Sequence, residues 1–179
     1  MKVIGFAGWS GAGKTTLVAG VIPVLVGRGL TVSTIKHAHH GFDVDTPGKD
    51  SWLHRQAGAS EVLVSSARRS VLVRELRGAA EPELQDLLAR LAPCDLVIVE
   101  GFKRRPHPRI EVFRAANGKP PLHPEDRAIR AVASDTGFPD AGLPVIPLGD
   151  MEAVADAVLA HAMPLAEVVA MLDGHGPAH

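Results

Sequence analysis

Near its amino terminus the chain reads Gly8-Trp9-Ser10-Gly11-Ala12-Gly13-Lys14-Thr15, and the segments on either side limit what it can fold into. Lys2–Ala7 is an apolar run that ends in glycines, as a strand buried on both faces does. After the glycines, Leu17, Val18, Val21, Ile22, Leu25 and Val26 recur at helical spacing. Strand, glycine-rich loop and helix in this order make backbone N–H groups converge on one anion, with the positive end of the helix behind them. The glycines permit the tight turn. Lys14 adds a cation for the β- and γ-phosphates of a purine triphosphate, and the Thr15 hydroxyl is a candidate Mg2+ ligand. Ser10, Gly11, Ala12, Gly13, Lys14 and Thr15 are the candidate phosphate contacts.

The rest of the chain alternates in the same way. Thr31–Ile35, Leu96–Val99, Ile129–Ala133 and Val145–Leu148 read as strands, and Arg109–Arg114 as a further, half-exposed one. Lys14 to about Arg28, Asp50–Ala57, Pro82–Leu91, Met151–Ala162 and Pro164–Leu172 read as helices. Pro23 predicts a kink in the first helix, and Gly29 its stop. Glu61–Ser65 and Ser70–Leu76 form a hairpin-like pair around Ala67–Arg69. The expected fold is an α/β three-layer sandwich with a mainly parallel sheet and added antiparallel edge strands. At 179 residues, with no repeat or low-complexity linker, one domain over residues 1–179 is expected. A formal net charge of −1 argues against nucleic acid or an anionic membrane as partner. The single cysteine, Cys94, suits a reducing compartment and reads as core. With no signal-peptide pattern and no span of about 20 apolar residues, a cytoplasmic location is expected.

The metal side of such a site calls for a carboxylate at the end of a neighbouring strand. Glu100, closing Leu96–Val99, fits that role, with Asp95 at the other end the weaker candidate. Lys36–Lys49 follows no periodicity and reads as a functional loop at the carboxyl end of the second strand, where α/β sheets bind ligands. Within it Asp43 and Asp45 are candidates for Mg2+ or water contacts, and Lys36 and His37 for anion contacts. His37, His39 and His40 also admit a transition-metal reading. Arg55 and Lys103-Arg104-Arg105 are either anion contacts or solvated surface. His107, His123, His161, His175 and His179 show no ligand spacing. On these residues alone, a weak nucleoside triphosphatase, a small-molecule kinase or ligase, and a metal-delivery GTPase using the His37–His40 loop all stand open.

Several segments together resemble the MobB family, the GTP-binding adapters of molybdopterin guanine dinucleotide biosynthesis. They are Gly8–Thr16, Ile35–His40, Pro47-Gly48-Lys49-Asp50-Ser51, Val99-Glu100-Gly101-Phe102-Lys103, Ala57-Gly58-Ala59, Ile110–Arg114 and Ala133-Ser134-Asp135. The likeness covers most of residues 2–150 and implies a P-loop NTPase fold and a homodimer. It also implies GTP with Mg2+ as ligands, and weak hydrolysis. The implied partners are a MobA-like guanylyltransferase and molybdopterin or Mo-molybdopterin. It places phosphate binding on Gly11, Gly13, Lys14, Thr15 and Thr16 and the Mg2+ side on Glu100, which makes Lys14, Thr15 and Glu100 the expected catalytic group. The guanine-reading pattern Asn-Lys-x-Asp is absent, so guanine is expected from the likeness, with Asp135 as candidate acceptor for the ring. No residue is assigned to orient the attacking water, and no arginine finger.

Overall fold

The computed structural model describes residues 1–38, 41–138 and 140–175. In chain order the elements are β1 (Lys2–Ala7), α1 (Lys14–Gly27), β2 (Val32–Lys36), α2 (Asp50–Gln56), β3 (Glu61–Ser65), β4 (Ser70–Arg74) and α3 (Leu84–Leu88). There follow β5 (Leu96–Glu100), β6 (Arg109–Phe113), β7 (Ile129–Ser134), β8 (Val145–Pro147), α4 (Met151–His161), β9 (Met163–Pro164) and α5 (Leu165–Asp173). They fall into two compact units, Met1–His37 with Glu83–His179, and Ala38–Pro82.

The larger unit is built on a sheet in the order β2-β5-β1-β6-β7-β8, with every neighbouring pair parallel. Strands buried on both faces must be apolar at odd and even positions alike. β1 obeys this: Ile4 and Phe6 pack with Leu17, Val21 and Leu25 of α1 and Val154 and Val158 of α4. Val3 points the other way, with Val97 and Val99, onto Leu84 and Leu88 of α3 and Val168 and Leu172 of α5. Because the strands run parallel, the loop after β1, Lys36 closing β2, Glu100 closing β5 and the end of β6 share one edge of the sheet. That is the edge where such folds bind ligands.

Helix α1 runs from Lys14 to Gly27 with Pro23 inside it, where the ring removes one N–H from the helix ladder. Several other local expectations change. The helix predicted over Pro82–Leu91 is regular only at Leu84–Leu88, where Glu83 and Asp86 form a reciprocal capping box. The two-residue strand β9 pairs antiparallel with Lys2 and Val3 of β1, too short for any periodicity to announce. Strand β6 is buried and not half-exposed: Arg109 and Glu111 are 3% and 1% exposed. Arg109 is satisfied by the carbonyls of Lys103 and Arg105 and by Asp126, 3.2 Å away. Glu111 accepts from the N–H groups of Leu122 (2.6 Å) and His123 (2.9 Å) and pairs with the His123 ring. The polar side of this alternating strand therefore faces loops that close over it, with its hydrogen bonds met inside the protein.

In the smaller unit, β3 and β4 pair antiparallel from Glu61↔Arg74 to Ser65↔Ser70 and form a two-stranded sheet of their own, so the antiparallel pair does not extend the edge of the main sheet. The guanidinium of Arg55, on α2, is the polar centre of this unit. It binds Asp43 (2.8 Å), Asp45 (3.0 Å) and Glu75 (2.6 Å), tying the segment before α2 to the segment after β4.

Candidate nucleotide-phosphate site

Residues Gly8–Gly13 connect β1 to α1 as a turn whose glycines take backbone angles closed to other side chains: φ is 79° at Gly11 and 93° at Gly13. Gly13 is the N-cap of α1 and offers no side chain to the helix, and the first turn carries no acidic residue. The N–H groups that start α1 and the positive end of its dipole are thus left for an anion. Ser10, Gly11, Gly13, Lys14, Thr15, Thr16 and Glu100 line a pocket of about 380 Å3 above this helix start. Ala12 lies beneath it, buried in the core, with its N–H bonded to the Trp9 carbonyl (3.2 Å).

Lys14 folds back over the loop, donating to the carbonyls of Gly8 (2.9 Å) and Trp9 (3.0 Å). Burial, then Lys103, with Lys36 adding to it, draws its ammonium below the ordinary lysine range, against an opposing pull from Glu100. The Thr15 hydroxyl donates to the Glu100 carboxylate (3.1 Å). The Lys36 ammonium lies 3.3 Å from Thr15 Oγ1 and 3.6 Å from Glu100 Oε1. A cation already lies beside these two oxygens, and a hydroxyl facing a carboxylate is the hard-oxygen donor set that Mg2+ takes. The residues present therefore fit both a polyphosphate and Mg2+.

Other sequence candidates lie elsewhere. Asp135, just beyond β7, accepts from the Ala115 N–H (2.9 Å). Asp95 is engaged at the opposite end of β5 by the hydroxyl (2.6 Å) and N–H (2.8 Å) of Thr31. Asp43 and Asp45 belong to the smaller unit and are held there, Asp43 by Arg55 and Asp45 by Ser51 (2.6 Å) and Arg55. These bonds keep both carboxyls below the usual aspartate range, Arg55 foremost for Asp43 and Ser51 for Asp45. Arg105 is buried against Glu83. His39 and His40 lie outside the described residues; among those described, no three His, Cys, Asp or Glu side chains gather as a metal cluster.

The loop also has supports that no motif announced. The Trp9 indole N–H donates to the Pro120 carbonyl (2.8 Å), and the Asn117 side chain donates to the Ser10 carbonyl (3.0 Å). Lys103 and Lys119 flank the Trp9 ring at 5.7 and 6.0 Å. Their common signal was position: all follow strands that end at the ligand edge.

Fold and loop together define an α/β protein of the P-loop NTPase kind. Residues 3–135 match the family described as MobB, molybdopterin guanine dinucleotide synthesis protein B, and the chain belongs to that family. A relative from Escherichia coli strain K12, a molybdopterin-guanine dinucleotide biosynthesis adapter protein, is 41% identical over 162 residues, or 89% of this chain and 92% of the relative. A protein of the same name from Haemophilus influenzae is 41% identical over 138 residues, 75% of each chain. The crystal structure of Bacillus subtilis MobB superposes with a TM-score of 0.71 over 89% of this chain and 97% of that one; at 23% identity this likeness speaks to the fold.

Proposed function

We propose that this chain is a cytoplasmic GTP-binding adapter of molybdopterin guanine dinucleotide biosynthesis, with slow GTP hydrolysis, acting beside the MobA guanylyltransferase on molybdopterin or Mo-molybdopterin. The observation that carries the reading is the meeting of the glycine loop, Lys14 and the Thr15–Glu100 pair in one pocket. Bound Mg2+ would supply positive charge against the triphosphate oxygens. Lys14 would release the Gly8 and Trp9 carbonyls and turn its ammonium to the phosphates, while the loop amides and the start of α1 fix their position. Thr15 and Glu100 would hold the metal side. Asp135, with one oxygen on Ala115, would offer the other to the guanine ring. Guanine is the base in the product named for the relatives, and adapter is the role named for them. A homodimer completes the reading, through the exposed leucines of the β3–β4 hairpin.

Calorimetric titration with non-hydrolysable GTP and ATP analogues, each with Mg2+, tests the reading. Clear preference for the guanine analogue is expected. Preference for adenine would overturn it and turn attention to kinase or ligase chemistry on the same loop.

A further inference from the structure

Strand β6 runs beside β1 in the register Gly5↔Arg109, Phe6↔Ile110, Ala7↔Glu111. Where β1 gives way to the loop, β6 therefore continues for two more residues and delivers Arg114 next to it. The guanidinium lies along Gly13: a Cβ built on that glycine would meet Nε at 3.1 Å, Nη2 at 3.5 Å and Cζ at 3.8 Å. The backbone around Arg114 is pinned. The Asn117 N–H returns to the Arg114 carbonyl (3.0 Å), the Ala115 N–H is held by Asp135, and the Asn117 side chain reaches Ser10. Just before it, the Phe113 ring packs edge-on against Phe138 at 4.8 Å.

Electrostatically this is an unfavourable place for a cation. It stands beside the positive end of α1, in a region that already holds Lys14, Lys36 and Lys103. Among the described residues no carboxylate pairs with Arg114, although Arg28, Arg55, Arg74, Arg105 and Arg109 all have one. An anion in the loop relieves that repulsion. A planar guanidinium donates in pairs to phosphate oxygens, which an ammonium does not reproduce.

We propose that Arg114 is a further phosphate-contacting residue of this site, a guanidinium supplied from the end of β6 to the Gly13 side of the bound nucleotide. The inference rests on the phosphate-loop reading above and adds a contact that the loop motif does not contain. The test is titration of the full chain with the Mg2+-bound non-hydrolysable GTP analogue, using Arg114→Ala, Arg114→Lys and Lys14→Ala. Arg114→Ala is expected to weaken binding by about fivefold or more, with lysine restoring only part of it. Arg114 is exposed, so circular dichroism and the unfolding midpoint are expected to stay as in the parent protein. A smaller loss in Arg114→Ala, beside a large loss in Lys14→Ala, overturns the role of Arg114 and leaves the phosphate loop standing. Unchanged binding in both variants overturns the loop reading and this inference with it. Phenylglyoxal labelling of the unaltered protein, read by mass spectrometry, gives a second measure independent of the variants. The GTP analogue is expected to slow modification of Arg114 and not of exposed Arg68 or Arg90; equal rates at Arg114 with and without nucleotide overturn the proposal.

Discussion

Lys14 satisfies its ammonium on two carbonyls of its own loop, so binding a triphosphate exchanges two neutral acceptors for charged ones. Charge-assisted hydrogen bonds contribute about 1.5–3 kcal/mol, so Lys14→Ala is expected to weaken binding of the Mg2+-bound GTP analogue roughly ten- to hundredfold in calorimetry. Retained affinity within a factor of a few sinks the phosphate-loop assignment. Glu100→Gln keeps the shape of the pair with Thr15 but removes the charge, so the Mg2+ dependence of binding is expected to flatten while nucleotide still binds. A Mg2+ titration matching the parent takes Glu100 off the metal side. His107 makes a separate claim on stability. It is 1% exposed, its ring nitrogens meet no well-formed hydrogen-bond partner among the described residues, and Gly5 is the residue that leaves it room, since a Cβ there would come within 2.5 Å of Nε2. Burial, and then Arg109, pushes its pKa down to about 3 from the usual 6.5. Between those two values the unfolded chain binds the proton that the folded chain refuses. Stability is therefore highest above pH 6.5 and falls as the pH drops, by about 1.4 kcal/mol per unit from this group alone. Denaturant unfolding between pH 6.5 and 4.5 is expected to show that slope. His107→Leu is expected to flatten it; an equal slope in the variant assigns the acid sensitivity elsewhere.

Strand β6 and the two loops around it are where one element supports the site. Arg109 gathers the carbonyls before the strand, and Glu111 gathers the N–H groups of Leu122 and His123 after it. The segment so anchored carries Asn117 and Pro120, which hold Ser10 and Trp9. Glu111→Ala strands the half-buried N–H groups of Leu122 and His123 and is expected to cost about 1–3 kcal/mol in urea unfolding. Hydrogen exchange at Leu122 and His123 is expected to rise with it, and unchanged exchange there would dissociate Glu111 from the loop. This element also marks how far the sequence could be read. The strand–loop–helix at residues 2–27 and the acid closing β5 were legible because each is a local pattern with one physical solution. The alternation of β6 was visible, but its polar face was read as turned to water, since the groups that satisfy Arg109 and Glu111 lie up to 17 residues away on loops without period. The meeting of Lys36 with Thr15 and Glu100 follows from β5 lying between β2 and β1, a strand order that no local pattern encodes. The hairpin was found, but not that it forms its own sheet, since alternation alone does not name a strand's neighbour.

At the scale of the molecule, apolar exposure is distributed unevenly. Phe42, Val44, Leu53, Leu63, Val64, Val71, Leu72 and Leu76 all belong to the Ala38–Pro82 unit, and among the described residues only Trp9 and Val26 of the exposed large apolar side chains do not. A two-stranded sheet has few neighbours to bury its faces, and such hairpins gain independent stability from a further partner. Leu63 and Leu72 stand directly opposite each other on one face, 68% and 55% exposed. Their flanking pair, Glu61 with Arg74, is already neutralised, and a formal net charge of −1 sets little repulsion between two copies. Covering what remains exposed of these leucines on two copies adds an apolar driving force of about 25 cal/mol per Å2 buried to that association. The unaltered protein is therefore expected to sediment as a dimer, and Leu63→Glu combined with Leu72→Glu as a monomer. Both side chains are exposed within the chain, so the double variant is expected to keep its circular dichroism and its binding of the GTP analogue. A parent protein that sediments as a monomer removes the dimer altogether. A double variant that stays dimeric places the interface on another surface.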